Sequence, residues 1–298
     1  MSKFFDETQK AHKWAPQVAE AGRVDVVSVI DAIKQDDNVV PPPLVPQFEP
    51  QLLQNAPAVE VPVVEVPVAV TEKPVRGPIK ISQSEKNLPQ PVVEAYGSLR
   101  ARVMKLQASK GIRSLMLTSS VPAEGKTLTS LNLAVSCAKL HNLRILLVDG
   151  DLRSRGLTRL LSMPEGPGLS DFLGRKATAE KTVLPTEFDN LFVLGAGSLN
   201  GQPSELFASP LWSEFISWAG QSYGIVIVDA PPIHGLSDAE LISSGCDGVL
   251  MVVRALSTSR ELAQKCVNRL DKRKLIGTVF NGLPSSPDIG YGYYGNAG

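Results

Sequence analysis

The chain has 298 residues, 43% of them apolar, with 30 basic and 30 acidic side chains and a formal net charge of zero. That length allows one large domain with an appendage, and the balanced charge offers no general attraction to nucleic acid, so no nucleic-acid partner is expected. Cys137, Cys246 and Cys266 lie far apart with no C-x-x-C pair, which suits buried thiols in a reducing cytoplasm.

Residues 1–40 hold two possible short helices, near 3–14 and 24–33. The first lacks the apolar core of a signal peptide. Its Phe4, Phe5, Ala11 and Trp14 would form a partial stripe that either docks on a partner or frays. Residues 41–88 form a second region, with ten prolines between positions 41 and 78 and the block Val59-Glu60-Val61-Pro62-Val63 repeated at once as Val64-Glu65-Val66-Pro67-Val68. Proline fixes φ and removes N–H donors, so this region is expected to be a disordered, polyproline-like linker. No stretch of the chain reaches the ~18 uninterrupted apolar residues of a membrane-spanning helix.

Folding is expected to begin at residue 89. Val92, Tyr96, Leu99, Val103 and Leu106 recur at helical spacing after Pro91, which predicts a helix over 92–108 with one buried face. A strand at 115–117 is followed by a loop, and a helix begins near Thr127. The loop contains Ser120, Val121, Pro122, Ala123, Glu124 and Gly125, then Lys126, Thr127 and Leu128. Gly125-Lys126-Thr127 reads as the end of a phosphate-binding loop, in which backbone N–H groups and the helix N-terminus hold phosphate oxygens. Lys126 would reach the outer phosphates and Thr127 would ligate Mg²⁺. A strict G-x-x-x-x-G-K-[ST] pattern requires glycine at 120, where this chain has serine, so an ordinary solvated turn is the rival for this string alone.

Two further stretches decide between them. Residues 145–153 read ILLVDGDLR and residues 225–232 read IVIVDAPP, each a buried-type strand ending on an acid, Asp149 or Asp229. In a doubly wound sheet, ligands bind beyond the carboxyl ends of the strands, so these acids would face the same crevice as the loop. Elsewhere the pattern predicts short helices at 157–161 and 169–173 and a strand at 191–194. A loop then runs to Ser204, and a helix at 210–220 puts Trp212, Phe215 and Trp218 in the core. A helix at 238–244, a strand at 248–253, a helix at 259–270 and a strand at 276–280 complete the domain, and 284–298 is a tail. The alternation implies an α/β fold, a doubly wound, mostly parallel sheet covered on both faces over residues 89–283.

The combination of TSSVPAEGKT, LLVDGDLR, IVIVDAPP and DGVLMVVR with a C-terminal tyrosine cluster resembles the bacterial tyrosine autokinases that govern capsule and exopolysaccharide export. These belong to the deviant Walker class of P-loop NTPases, together with the cell-division and plasmid-partition ATPases. The resemblance runs from about residue 91 to the C-terminus, and Asp149-x-Asp151-x-Arg153 is its specific part. It implies ATP and Mg²⁺ as cofactors. Lys126 and Thr127 would bind phosphates and metal, Asp151 and Asp229 would hold the metal partly through water, and Arg153 would join the site. Asp149 would be the base toward a tyrosine hydroxyl, or else only an orienting group. Asn281 would contact adenine, and Tyr291, Tyr293 and Tyr294 would accept phosphate. The partners implied are a membrane polysaccharide co-polymerase that activates a cytoplasmic chain at the inner face of the membrane, further copies of the chain, and a cognate tyrosine phosphatase.

The chain departs from the family pattern at three places, one of them the tail, whose tyrosine cluster is small, with only Tyr291, Tyr293 and Tyr294. Ala123 stands where a glycine is common, at a cost of ~1 kcal/mol if φ there is positive. The E-x-x-R-x-x-R oligomer motif falls on Glu94, Gly97 and Arg100, without its central arginine. Rival functions are a positioning ATPase and a non-catalytic ATP-binding adaptor of an export complex.

Overall fold

In the computed structural model, the described residues are 78–81, 88–199 and 201–282. The N-terminal helices, most of the proline-rich region and the tyrosine tail lie outside them. The first helix, α1 (Gln90–Lys110), leads to β1 (Ser114–Ser119), the phosphate loop and α2 (Lys126–Ala138). Next come β2 (Ile145–Asp149) and the short helices α3 (Gly156–Leu160), α4 (Leu169–Leu173) and α5 (Ala179–Thr182). A hairpin of β3 (Val183–Pro185) and β4 (Leu191–Leu194) precedes α6 (Pro203–Ala208) and α7 (Pro210–Ser222). The chain then runs through β5 (Ile225–Asp229), α8 (Asp238–Gly245), β6 (Gly248–Arg254), α9 (Arg260–Val267) and β7 (Leu275–Asn281).

The seven strands are ordered β3-β4-β2-β5-β1-β6-β7, and all neighbours are parallel except β3 with β4. Continuous apolar runs such as ILLV and IVIV suit this arrangement, because both faces of each central strand are buried. Leu115, Leu117, Ile145, Leu147, Ile225 and Ile227 join α1 and α2 in one core, and Met116, Leu146, Val148, Val226 and Val228 join α7 and α8 in the other. Trp212 and Phe215 are buried in that second core as predicted, with the Trp212 indole N–H donating to the Ile242 carbonyl at 3.1 Å. Trp218 packs at its edge, partly buried.

Four local expectations are corrected. Val92 is exposed, so the buried face of α1 is carried by Leu99 and Val103. The loop expected to reach Ser204 stops at Gln202, and α6 begins with Pro203, which suits that place because a helix's first residues need no N–H donor. The edge hairpin strand β3 was not predicted, three residues being too few to show a period. Finally, the linker was read through residue 88, yet Ile79 and Ile81 are buried against the α1–α2 side of the sheet. Ile79 forms a parallel bridge to Thr186, its N–H donating to Pro185 O at 3.0 Å, and the Ile81 N–H donates to the Glu187 carboxylate. Two apolar residues among prolines and charges left too little pattern to separate them from a tether.

Ile81→Ala is expected to lower unfolding free energy by about 2 kcal/mol, the low end for a buried isoleucine, because a segment joined to the sheet by an isolated bridge relaxes easily. Denaturant unfolding of the two chains checks it, and an unchanged midpoint would mean the segment contributes nothing.

Candidate active site

Parallel pairing gathers the site. Asp149 and Asp229 are register partners at the carboxyl ends of β2 and β5, and β1 on the other side of β5 delivers the phosphate loop. Equivalent register in a parallel pair points both side chains to one face, here the α2 side that Leu147 and Ile227 occupy one step earlier in the alternation. The Gly150 N–H donates to Asp229 O at 2.8 Å, which ties the D-x-D turn to the second acid.

The loop turns into α2 through two left-handed residues, Ala123 (φ 66°) and Gly125 (φ 92°). Ala123 therefore carries the backbone penalty foreseen from its side chain. Gly125 is favoured for its φ, and a Cβ there would lie 1.9 Å from Asn281 Nδ2 and push that side chain aside.

Lys126, at the start of α2, is buried, and its Nζ lies 3.1 Å from Asp151 Oδ2. Thr127 Oγ1 donates to Asp229 Oδ2 at 2.7 Å. Ser130 Oγ, one turn along, lies 3.3 Å from Asp229 Oδ1 and 2.9 Å from Lys126 O. Asp151 Oδ1 accepts the Ser154 N–H at 3.0 Å. Asp149 Oδ2 accepts both the N–H and the hydroxyl of Thr158, each at 2.7 Å, while its Oδ1 is buried with no hydrogen-bond partner. Asp149 and Asp229 are fully buried and Asp151 nearly so.

Charge in this crevice is out of balance, because three buried acids face one lysine. Burial pushes Asp229 up to about 7, with Asp149 and Asp151 adding to the rise against Lys126 and Thr127. Burial raises Asp149 as well, and Thr158 only partly offsets it. Burial also acts to raise Asp151, but Lys126 and Ser154 outweigh it and hold that carboxyl below its ordinary value. For Lys126, burial acts to remove the proton, and Asp229 and Asp151 overcome it. Such a site has room for added positive charge. Among the described residues no three His, Cys, Asp or Glu side chains converge tightly enough to cage a metal. Mg²⁺, which is usually bound through one or two carboxylates with phosphate and water completing its shell, fits this donor set better than a closed protein cage does.

The remaining predicted residues divide. Asn281 Nδ2 donates to Glu124 O at 2.9 Å, which brings the end of β7 onto the loop. Arg153 is gripped by Asp238, with Nε 2.7 Å and Nη2 3.3 Å from its two carboxylate oxygens, and is held at the start of α8. Thr158 and Asp238 left no sequence signal, while Ser130 was findable as the hydroxyl one turn beyond Lys126. The cavity of about 610 Å³ lined by Arg113, Arg144 and Tyr223 lies at the amino ends of the strands and contains none of the predicted residues.

No protein-family model matches the chain. It is 33% identical over 204 residues to the tyrosine-protein kinase YwqD of Bacillus subtilis, covering 68% of this chain and 86% of that protein. The chain belongs to the bacterial tyrosine-protein kinases. Another relative, the tyrosine-protein kinase CpsD of Streptococcus pneumoniae, is 31% identical over 225 residues, covering 74% of this chain and 98% of its own length. Among solved structures, the chimerical protein CapA2B2 superposes with a TM-score of 0.63 at 29% identity, over 70% of this kinase and 93% of the chimera. The phosphate-loop α/β fold read from the sequence is thus the fold of the family.

Because Asp229 binds its proton more tightly folded than unfolded, its contribution to the stability of the unliganded kinase is lost as pH rises from about 4 to about 7, and the raised Asp149 acts in the same direction. A cation at the site competes with that proton, so Mg²⁺-ADP should bind more tightly at about pH 8 than at about pH 6, with proton release near neutrality. Calorimetry in two buffers of different ionisation enthalpy checks this, and affinity that does not vary with pH would contradict it.

Proposed function

We propose that this tyrosine-protein kinase transfers the γ-phosphoryl group of ATP to Tyr291, Tyr293 and Tyr294, mainly between molecules, and thereby regulates capsular or exopolysaccharide synthesis and export. The observation that carries the reading is the convergence of Lys126, Thr127 and three buried acids on one crevice, with Asp149 Oδ1 unpaired. MgATP supplies the phosphoryl group and the cation that neutralises its charge. Lys126 exchanges Asp151 for phosphate oxygens. Thr127, Asp151 and Asp229 hold the metal, directly or through water, and Asn281 meets the base. Asp149, its Oδ2 held by Thr158, is the base that accepts the tyrosine hydroxyl proton at Oδ1.

The acceptor assignment rests on sequence. Ten residues separate Asn281 from Tyr291, at most about 35 Å of extended chain, and Pro284 and Pro287 constrain the return to the chain's own site. A neighbour's crevice is the easier target. Each phosphotyrosine adds up to about −2 charges, which repels the tail from an acidic site. The polysaccharide role, the membrane co-polymerase that activates the kinase at the inner membrane face, and the opposing phosphatase come from the family resemblance. Among the described residues no helix is long and apolar enough to cross a membrane, so recruitment by such a partner is the arrangement we favour.

Lys126→Met should reduce phosphoryl transfer by roughly 10²-fold or more, the scale for removing one preorganised charge donor. Mixing that variant, tail intact, with an active chain lacking residues 288–298 tests the route, with the membrane activator added if the kinase alone is silent. Label on the inactive chain supports transfer between molecules. Undiminished labelling after all three tyrosines become phenylalanine would remove them as acceptors.

A further inference from the structure

Glu124 sits inside the phosphate loop, yet its carboxylate is 2% exposed and engaged by groups other than a ligand. One oxygen accepts the Val121 N–H at 2.9 Å, within the same loop. The other accepts the Arg254 N–H at 3.3 Å, at the end of β6, and the Thr258 hydroxyl, in the segment that follows it. Three donors converge on one carboxylate, one from the phosphate loop and two from the end of β6 and the loop after it. A negative charge in a phosphate loop works against an anionic ligand, so these donors, and not ligand contact, account for its place.

Backbone conformation on either side points the same way. Ala123, one residue before Glu124, has φ 66°, and Leu256, between the two residues that donate to Glu124 from the other loop, has φ 61° with its side chain 56% exposed. Left-handed conformations are disfavoured for side chains with a Cβ and persist where surrounding contacts over-determine them. Glu124 provides such contacts to both loops at once.

We propose that Glu124 is a positioning residue, a clamp that holds the phosphate loop in its strained, ligand-receiving turn and makes that turn depend on Thr258, in the loop after β6. The inference rests on the nucleotide-binding reading of the loop. It implies that Thr258 sets the affinity for phosphates through Glu124, and that Ala123 is tolerated because the clamp opposes its strain.

The probe is inorganic tripolyphosphate with Mg²⁺, which has neither base nor sugar and so reports on the phosphate loop alone. Binding is measured by calorimetry on the full chain, with melting temperature recorded for every variant. Thr258→Val keeps the shape and removes the donor, and should weaken binding roughly tenfold, as for loss of a hydrogen bond to a charged group. Thr258→Ser restores the hydroxyl and should bind within about twofold of the parent. Adding Ala123→Gly to Thr258→Val should recover much of the loss, because glycine adopts the left-handed turn without penalty. Parental affinity in Thr258→Val overturns the clamp, as does a loss that neither Thr258→Ser nor Ala123→Gly repairs. Failure of the parent itself to bind tripolyphosphate would instead overturn the nucleotide-site reading on which the clamp depends.

Discussion

Everything in this domain defers to the burial of three carboxylates beside one ammonium group. Asp149, Asp151 and Asp229 lie at or just beyond the ends of two neighbouring parallel strands, and the Lys126 ammonium lies among them. Like charges held this close in a weakly polarisable interior cannot all stay ionised at ordinary cost, and Asp229 responds by holding its proton up to about pH 7. The nucleotide and divalent cation that we propose as ligand would relieve this conflict, the cation at the acids and the phosphates at the lysine and the loop.

Neutral donors prevent that conflict from pulling the crevice apart. Thr127 and Ser130 lie against Asp229, Thr158 grips one oxygen of Asp149, and Ser154 caps Asp151. Each hydroxyl or amide favours the charged form without adding a charge. Thr158 also accepts the Ala196 N–H at 2.9 Å, so the orientation of Asp149 is coupled to the loop after β4. The oxygen left unpaired on Asp149 is the point at which this satisfied network opens.

Departures from the family pattern fall where the structure can absorb them. Ala123 does adopt the left-handed turn, within a loop held from behind by Glu124. At Gly97 a Cβ would meet nothing within 4 Å, so the helix has space for a larger side chain at that position. Arg100 donates to Ser136 O at 2.7 Å, which commits one edge of its guanidinium to α2.

The sequence by itself determined the sheet's parallel character, the succession of strands and helices along the chain, and the acids, lysine and threonine that gather in the crevice. Those features are encoded locally: an apolar run long enough to be buried on both faces, an acid at its end, and Gly-Lys-Thr at a helix start. Tertiary structure alone decided the rest. Ile79 and Ile81, the three-residue β3 and the partners Thr158, Asp238 and Thr258 have no period or motif, and gain their roles only when distant segments meet. Arg153 shows the same limit, since its grip on Asp238 follows from how α8 packs across the strand ends and not from its spacing after Asp151. Glu124 shows it most plainly, as an acid in a phosphate loop with two of its three partners some 130 residues further along the chain. Periodicity reports which face of an element is buried, whereas hydrogen-bond partners depend on the register and distance that only folding sets.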